Sequence, residues 1–255
     1  MKTPAIAIAN YTFQEAVRNR LFVLTIIGLV CLFGITEFIG EIAVTETVDI
    51  QAFLVGSGTR LFAICTVSLF VITSTVREFN DKGFELILSL PIPRYSYFFG
   101  KFCGFLMLAT VIAAAAAALL MIYSDAAHVL IWFISLIAES AIMIALCLLL
   151  LLTFSNVTVS FVVALAFYLL ARSMDAIQLI ARSPILEFHT ISQQFMNRLV
   201  DAVAFLLPEL HNFTRSDWLV YGASWTEFGT VAAQTLIYVP LLIAAALFDL
   251  YRKDL

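Results

Sequence analysis

Ionisable residues stand well inside stretches of sequence that are otherwise apolar, among them Arg60, Glu139, Arg172 and Asp175. A guanidinium and a carboxylate in such surroundings can line a path for a polar solute, or hydrogen-bond to neighbouring helices and hold them in register. A charge at the centre of a bilayer costs several kcal/mol unless it is paired, hydrated or neutralised, so each must face protein or a water-filled cavity. Glu139 lies near the middle of its apolar stretch and Arg60 about eight residues into its own. For this pair both readings stand, a translocation path or a structural tie between helices. Arg172 and Asp175 lie near the end of theirs and can reach outward to the interface.

Other chemistry is harder to build. No GxxxxGK[ST] phosphate cradle occurs, so the chain has no ATP site of that kind. There is no HExxH and no GxSxG, and no pair of catalytic groups at membrane depth declares itself by spacing. His128, His189 and His211 are far apart in sequence; metal or haem ligation is conceivable, and ordinary interfacial histidines are the plainer reading. Cys31, Cys65, Cys103 and Cys147 each fall in an apolar run without a CxxC pair, which suggests packing rather than zinc or disulfides. No catalytic residue, metal ligand or cofactor is therefore assigned to this chain.

The elements that must position these residues are membrane spans. Of 255 residues 62% are hydrophobic and only 13% charged, and the mean hydropathy is +1.01. A soluble domain carries roughly twice that charged fraction. Six apolar stretches, Leu21–Ile39, Ala52–Val76, Phe102–Tyr123, His128–Phe154, Val157–Ile180 and Gly229–Leu250, each have the roughly 20 residues that a helix needs to cross a bilayer. Strands apolar on both faces would not close a barrel with a polar lumen, so the fold class expected is an all-α membrane protein with six transmembrane helices. A net charge of −4 and the lack of a long basic run argue against nucleic acid as a partner. The N-terminus does not read as a secretory signal, since the first apolar run begins only at Leu21 and no small-residue cleavage site follows it.

Basic residues orient the spans. Lys2, Arg18 and Arg20 precede the first; Arg77, Lys82, Arg94 and Lys101 lie between the second and third; Arg252 and Lys253 follow the sixth. The connection 40–51 is acidic, with Glu41, Glu46 and Asp49. The positive-inside rule then places both termini in the cytoplasm. Three segments are not ordinary spans. Residues 1–20 carry Ile6, Ala9, Phe13, Ala16 and Val17 on one helical stripe with Glu15, Arg18 and Asn19 opposite, the pattern of an amphipathic helix lying on the cytoplasmic leaflet. Residues 77–101 form a charged cytoplasmic loop, with a short helix over 77–89 stopped at Pro91. Residues 181–228 form an outer segment with a stripe of Phe195, Leu199, Val203 and Leu206, either lying on the outer surface or dipping back into the bundle. One transmembrane domain covers residues 1–255.

The loop REFNDKGFELILSLPIPRYSYFFGK resembles the cytoplasmic loop of ABC-2 type exporter permeases, the membrane subunits of ATP-binding-cassette transporters. Glu78, Gly83, Leu86, Leu90, Pro91, Arg94, Gly100 and Lys101 match that family's pattern; Phe84 stands where threonine is usual, and Asp81-Lys82 replaces a more acidic pair. The N-terminal AIANYTFQEAVRNRLF is similar to the same family's elbow helix, and among subgroups the permeases linked to multicopper-enzyme maturation are the most similar. The resemblance implies a bacterial inner-membrane exporter or extractor subunit. It would pair with a second permease copy or a related permease, and would be driven by a separate ATPase subunit that binds ATP and Mg on the cytoplasmic face. An extracytoplasmic partner is also implied as an option. Glu15, Arg18, Arg77, Glu78, Asp81, Gly83, Phe84, Pro91 and Arg94 become the residues that couple to the ATPase, with Phe84 inserted in a groove on it; Arg60 and Glu139 become candidates for the substrate path. Two other classes remain: a non-transporting assembly or mechanical-coupling subunit, and an intramembrane enzyme or haem- or quinone-binding subunit.

Overall fold

The computed structural model describes residues 4–42, 47–80, 93–154, 156–182, 191–213, 215, 217–222 and 225–252. Among these every regular element is a helix: α1 (Pro4–Arg18), α2 (Arg20–Ile42), α3 (Thr47–Asn80), α4 (Arg94–Leu120), α5 (Ala126–Phe154), α6 (Val157–Arg182), α7 (Ile191–Leu206), α8 (Leu210–Phe213), α9 (Asp217–Tyr221) and α10 (Trp225–Arg252). Six of them, α2, α3, α4, α5, α6 and α10, are long and apolar enough to cross a membrane. The molecule has the architecture of a multi-pass helical membrane protein.

Local chemistry explains the breaks. At Asn19 the side-chain oxygen accepts from the Leu21 amide at 3.1 Å and the backbone carbonyl from Phe22 at 3.0 Å, so α1 stops and α2 starts on a cap. Asn156 caps α6 in the same way, its Oδ1 accepting from the amides of Thr158 at 2.9 Å and Val159 at 3.3 Å. Within the spans, hydroxyls such as those of Thr25, Thr66, Thr110 and Ser140 donate to the carbonyl four residues back, which satisfies them where water is absent.

Helix α5 is the axis of the bundle. In its most apolar stretch 72% of residues are buried, against 17% for α2 and for α10; α5 packs against α3, α4, α6 and α10. The two peripheral helices turn apolar faces outward, Val23, Leu24, Ile27 and Val30 on α2 and Leu236, Ile237 and Leu241 on α10. Hydrocarbon is the solvent those faces suit.

Three sequence expectations shift. Helix α3 runs on to Asn80 and α4 begins at Arg94 rather than at Phe102, so Arg77, Glu78 and Arg94 stand on span helices, not in a loop. Residues 81–92, and with them Asp81, Gly83, Phe84 and Pro91, lie outside the described residues. Second, α1 does not rest on the bundle through the whole apolar stripe. It buries Ala9, Thr12 and Ala16, while Ile6 is half exposed. The reason is close approach to α4: a Cβ on Gly100 would lie 2.9 Å from the Ala5 carbonyl oxygen, and one on Gly104 2.8 Å from that of Ala9. Gly100-x-x-x-Gly104 therefore forms a flat strip against which the α1 backbone seats closely, with Ile8 over Gly100 and Thr12 over Gly104. Third, of the two readings left open for residues 181–228, the described part from Leu207 to Leu219 packs into the bundle. Leu210 and Phe213 of α8 have no exposed surface, and Trp218 and Leu219 of α9 are buried; α8 packs on α5, α6 and α10, and α9 on α3 and α5.

Candidate functional site

Arg60 stands thirteen residues beyond the first residue of α3, Thr47, and Glu139 thirteen beyond the first of α5, Ala126. At about 1.5 Å per residue both are roughly 20 Å from the same end of the bundle. They meet there: Arg60 Nη1 donates to Glu139 Oε2 at 2.8 Å, and neither side chain has any exposed surface. The rest of the guanidinium is held by α5 as well, through Ser135 Oγ and the Trp132 carbonyl, both at 3.3 Å, and it lies 4.9 Å from the centre of the Trp132 ring. Charge, hydrogen bonds and a cation–π contact thus act on one cation. Saturation is incomplete: Arg60 Nε, Glu139 Oε1 and Trp132 Nε1 are buried without hydrogen-bond partners.

On one side the pair is roofed by the re-entrant segment. Ser135 Oγ, which accepts from Arg60, donates to the Phe213 carbonyl at 2.7 Å. This satisfies a backbone oxygen at a depth where non-helical backbone is tolerated only if protein surrounds it. Ser124 Oγ likewise donates to the Leu219 carbonyl. Gly222 follows α9 with φ +78, and a Cβ there would lie 2.8 Å from His128 Nε2, so glycine alone fits this turn. On α6, Arg172 donates to the buried Tyr168 hydroxyl at 3.1 Å instead of extending freely, while Asp175 is exposed.

At the opposite end, which holds the ends of α3 and α10 and the start of α4, a second cluster joins four helices. Lys101 Nζ lies 2.7 Å from Glu78 Oε2, and the Tyr97 hydroxyl donates to the same oxygen at 2.7 Å. Ser74 Oγ donates to Glu15 Oε1 at 3.3 Å, which brings α1 into the group. Arg94 donates to the Leu250 carbonyl of α10 at 3.0 Å, with its guanidinium 6.0 Å from the Tyr251 ring centre. Arg18 and Arg77 border a cleft on the far side of α1.

Apart from Arg18 and Arg77 in the cleft, the expected residues with described contacts between helices fall into two groups. Arg60 and Glu139 form one site. Glu15, Glu78 and Arg94, with Lys101 and Tyr97, fasten the helices that flank residues 81–92. Sequence reasoning noted Arg60 and Glu139 separately and missed their pairing, although equal depth and opposite charge were the available signal. It also missed the Gly100/Gly104 strip and the ion pair of Lys101. Among the described residues no three histidine, cysteine, aspartate or glutamate side chains gather as a metal site requires. No protein-family model matches the chain, and no curated protein matches it significantly.

Proposed function

We propose that the chain is the membrane-spanning permease subunit of an ATP-binding-cassette exporter or extractor, in which a separate ATPase subunit hydrolyses ATP at the cytoplasmic face. The observation that carries this reading is the fastening of α1, α3 and α4 by Glu15–Ser74 and Glu78–Lys101–Tyr97. Helices on both sides of residues 81–92 form one body with the amphipathic α1, so a push on that connection is delivered to two spans at once. A loop that merely set topology would need no such fastening. The resemblance of residues 77–101 to exporter coupling loops points the same way. In this reading the basic end is cytoplasmic, two permease copies (or this one and a related one) assemble with two ATPase subunits, and the inner membrane is the location. Arg60 and Glu139 belong to a path that is closed in this conformation; the unpaired Glu139 Oε1 is the acceptor that a partner change would use.

The full sealing of that pair also suits a second reading, a subunit that transmits force without moving a substrate. Affinity purification from native membranes separates the alternatives. Recovery of a nucleotide-hydrolysing partner in equal number, with retention reduced by Phe84→Ala or Glu78→Ala, is the expected result. A chain that brings down no such partner ends the proposal. A partner whose hydrolysis no solute stimulates and Glu139→Gln does not alter favours the force-transmitting reading.

A further inference from the structure

Where α1 gives way to α2, a cleft of about 500 Å³ opens between these helices and the end of α3, lined by Tyr11, Glu15, Arg18, Arg20 and Arg77 among others. Among its described lining residues three guanidinium groups stand beside one carboxylate, and because Arg77 already has an interaction partner, Arg18 and Arg20 supply the positive charge the cleft offers. Glu15, the one acid among the described lining residues, already accepts from Ser74 at 3.3 Å. Arg18 and Arg20 are exposed at its rim.

The height of the cleft identifies what it can hold. Arg20 is the first residue of the first candidate span, and Arg77 lies two before the end of the second, Phe79. The cleft therefore sits at the level where both helices leave the hydrocarbon. Below it runs the outward stripe of Val23, Leu24, Ile27 and Val30, between 51% and 59% exposed. Tyr11, which lines the cleft and is 64% exposed, is of the residue type enriched at a membrane–water boundary.

We infer that this cleft binds the phosphodiester headgroup of an anionic phospholipid. Arg18 and Arg20 clasp the phosphate, and the acyl chains lie along the α2 stripe. Arginine suits phosphate because its planar fork donates two parallel hydrogen bonds. Inorganic phosphate shares that chemistry but makes no use of the apolar stripe. The inference rests on α2 and α3 crossing a bilayer and is independent of any ATPase partner.

The test uses the full chain purified in a neutral detergent. Its thermal midpoint and the lipids retained in native mass spectra are followed as phosphatidylglycerol, phosphatidylcholine or inorganic phosphate is added. Phosphatidylglycerol raises the midpoint saturably and is retained in a defined number of copies, whereas phosphatidylcholine and phosphate at equal concentration do neither. Arg18→Ala with Arg20→Ala weakens phosphatidylglycerol binding roughly thirtyfold, about fivefold for each arginine, and the corresponding double lysine variant recovers most of it. Equal response to phosphatidylcholine, a response reproduced by phosphate alone, or unchanged binding by the double alanine variant overturns the inference. So does a variant that loses a protein partner while binding the lipid normally, since the arginines would then serve an acidic protein surface. If the double variant does not fold, the wild-type contrast between the two lipids decides the matter alone.

Discussion

Two ion pairs of nearly equal length among the described residues tie helix α3 to its neighbours, Arg60–Glu139 at 2.8 Å and Glu78–Lys101 at 2.7 Å. They differ in surroundings. The first has no exposed side-chain surface on either partner; in the second Glu78 retains 14% and has a neutral donor, Tyr97, on the same oxygen. Water can replace a lost contact at the end of α3 and cannot do so at its middle. In the coupling proposed above, the central pair is the pivot and the terminal one the catch that opens and closes. Force applied at residues 81–92 would act on the catch first.

The largest effect is expected from breaking the pivot on one side. Glu139→Leu leaves the guanidinium of Arg60 buried and uncompensated, a change that costs about 3–5 kcal/mol. Adding Arg60→Met removes the stranded charge, so the double variant should regain most of that loss. Glu139→Gln keeps the shape and one acceptor and should fall between. Equilibrium unfolding in mixed micelles measures all three. Additive losses in the double variant would mean that the two residues are not coupled and that the pivot does not exist.

Next in size is Ser135→Ala. The hydroxyl links Arg60 to the Phe213 carbonyl, and its removal leaves that oxygen buried without the partner it has now, at about 1–3 kcal/mol. Because the oxygen belongs to α8, the loss should be local: cysteines placed in 210–219 become more accessible to impermeant thiol reagents while α3 and α5 stay protected. Uniform loosening of the whole bundle would show that Ser135 stabilises the pair and not the re-entrant segment.

A third variant, Lys101→Met, acts on the catch and should cost less, about 1–2 kcal/mol, since Tyr97 and solvent remain to serve Glu78. The contrast with Glu139→Leu is the quantity of interest. If Lys101→Met is as damaging as Glu139→Leu, the difference in surroundings has no energetic meaning and the distinction between pivot and catch collapses.

Sequence and structure agree best where a property is averaged over many residues. Six spans emerge from hydropathy because each depends on about 20 side chains, and no single residue can undo them. The start of α4 was placed too late because Arg94 and Lys101 read as loop charges. Their neighbours Tyr97 and Phe98 are buried, and Lys101 is neutralised by a residue 23 positions earlier. The central pair shows the same limit. Each charge was conspicuous, but the partners are 79 positions apart, and matching their depth requires helix starts accurate to about one turn. The choice between a surface and a buried position for 207–213 and 217–219 was left open by the sequence because α8 and α9 are 4 and 5 residues long, and only the packing against α5 tells a buried short helix from a surface one.

The smallest effect belongs to the end of the bundle opposite the catch, where the Tyr123 hydroxyl donates to Glu37 and joins the end of α4 to α2. The Phe33 ring lies 5.9 Å from that of Tyr123, so apolar contact survives if the hydroxyl is removed. Tyr123→Phe should thus be only slightly less stable than wild type at neutral pH. The difference should change with pH. Burial, followed by the hydrogen bond to Glu37 and its negative charge, raises the phenol above its ordinary value, which is about 10. A neutral acid whose folded value is raised contributes its full stability below the unfolded value and loses it as pH climbs toward the folded one, because a phenolate would face a carboxylate. The advantage of wild type over Tyr123→Phe should be constant up to about pH 9 and shrink beyond about pH 10. Paired thermal melts of the two proteins across that range cancel the titration of other groups. An advantage that persists unchanged at high pH would show that Tyr123 holds α2 through its ring alone. Both fastenings of α2 and α3 to α4, at Tyr123 and at Lys101, would then differ in kind as well as in strength.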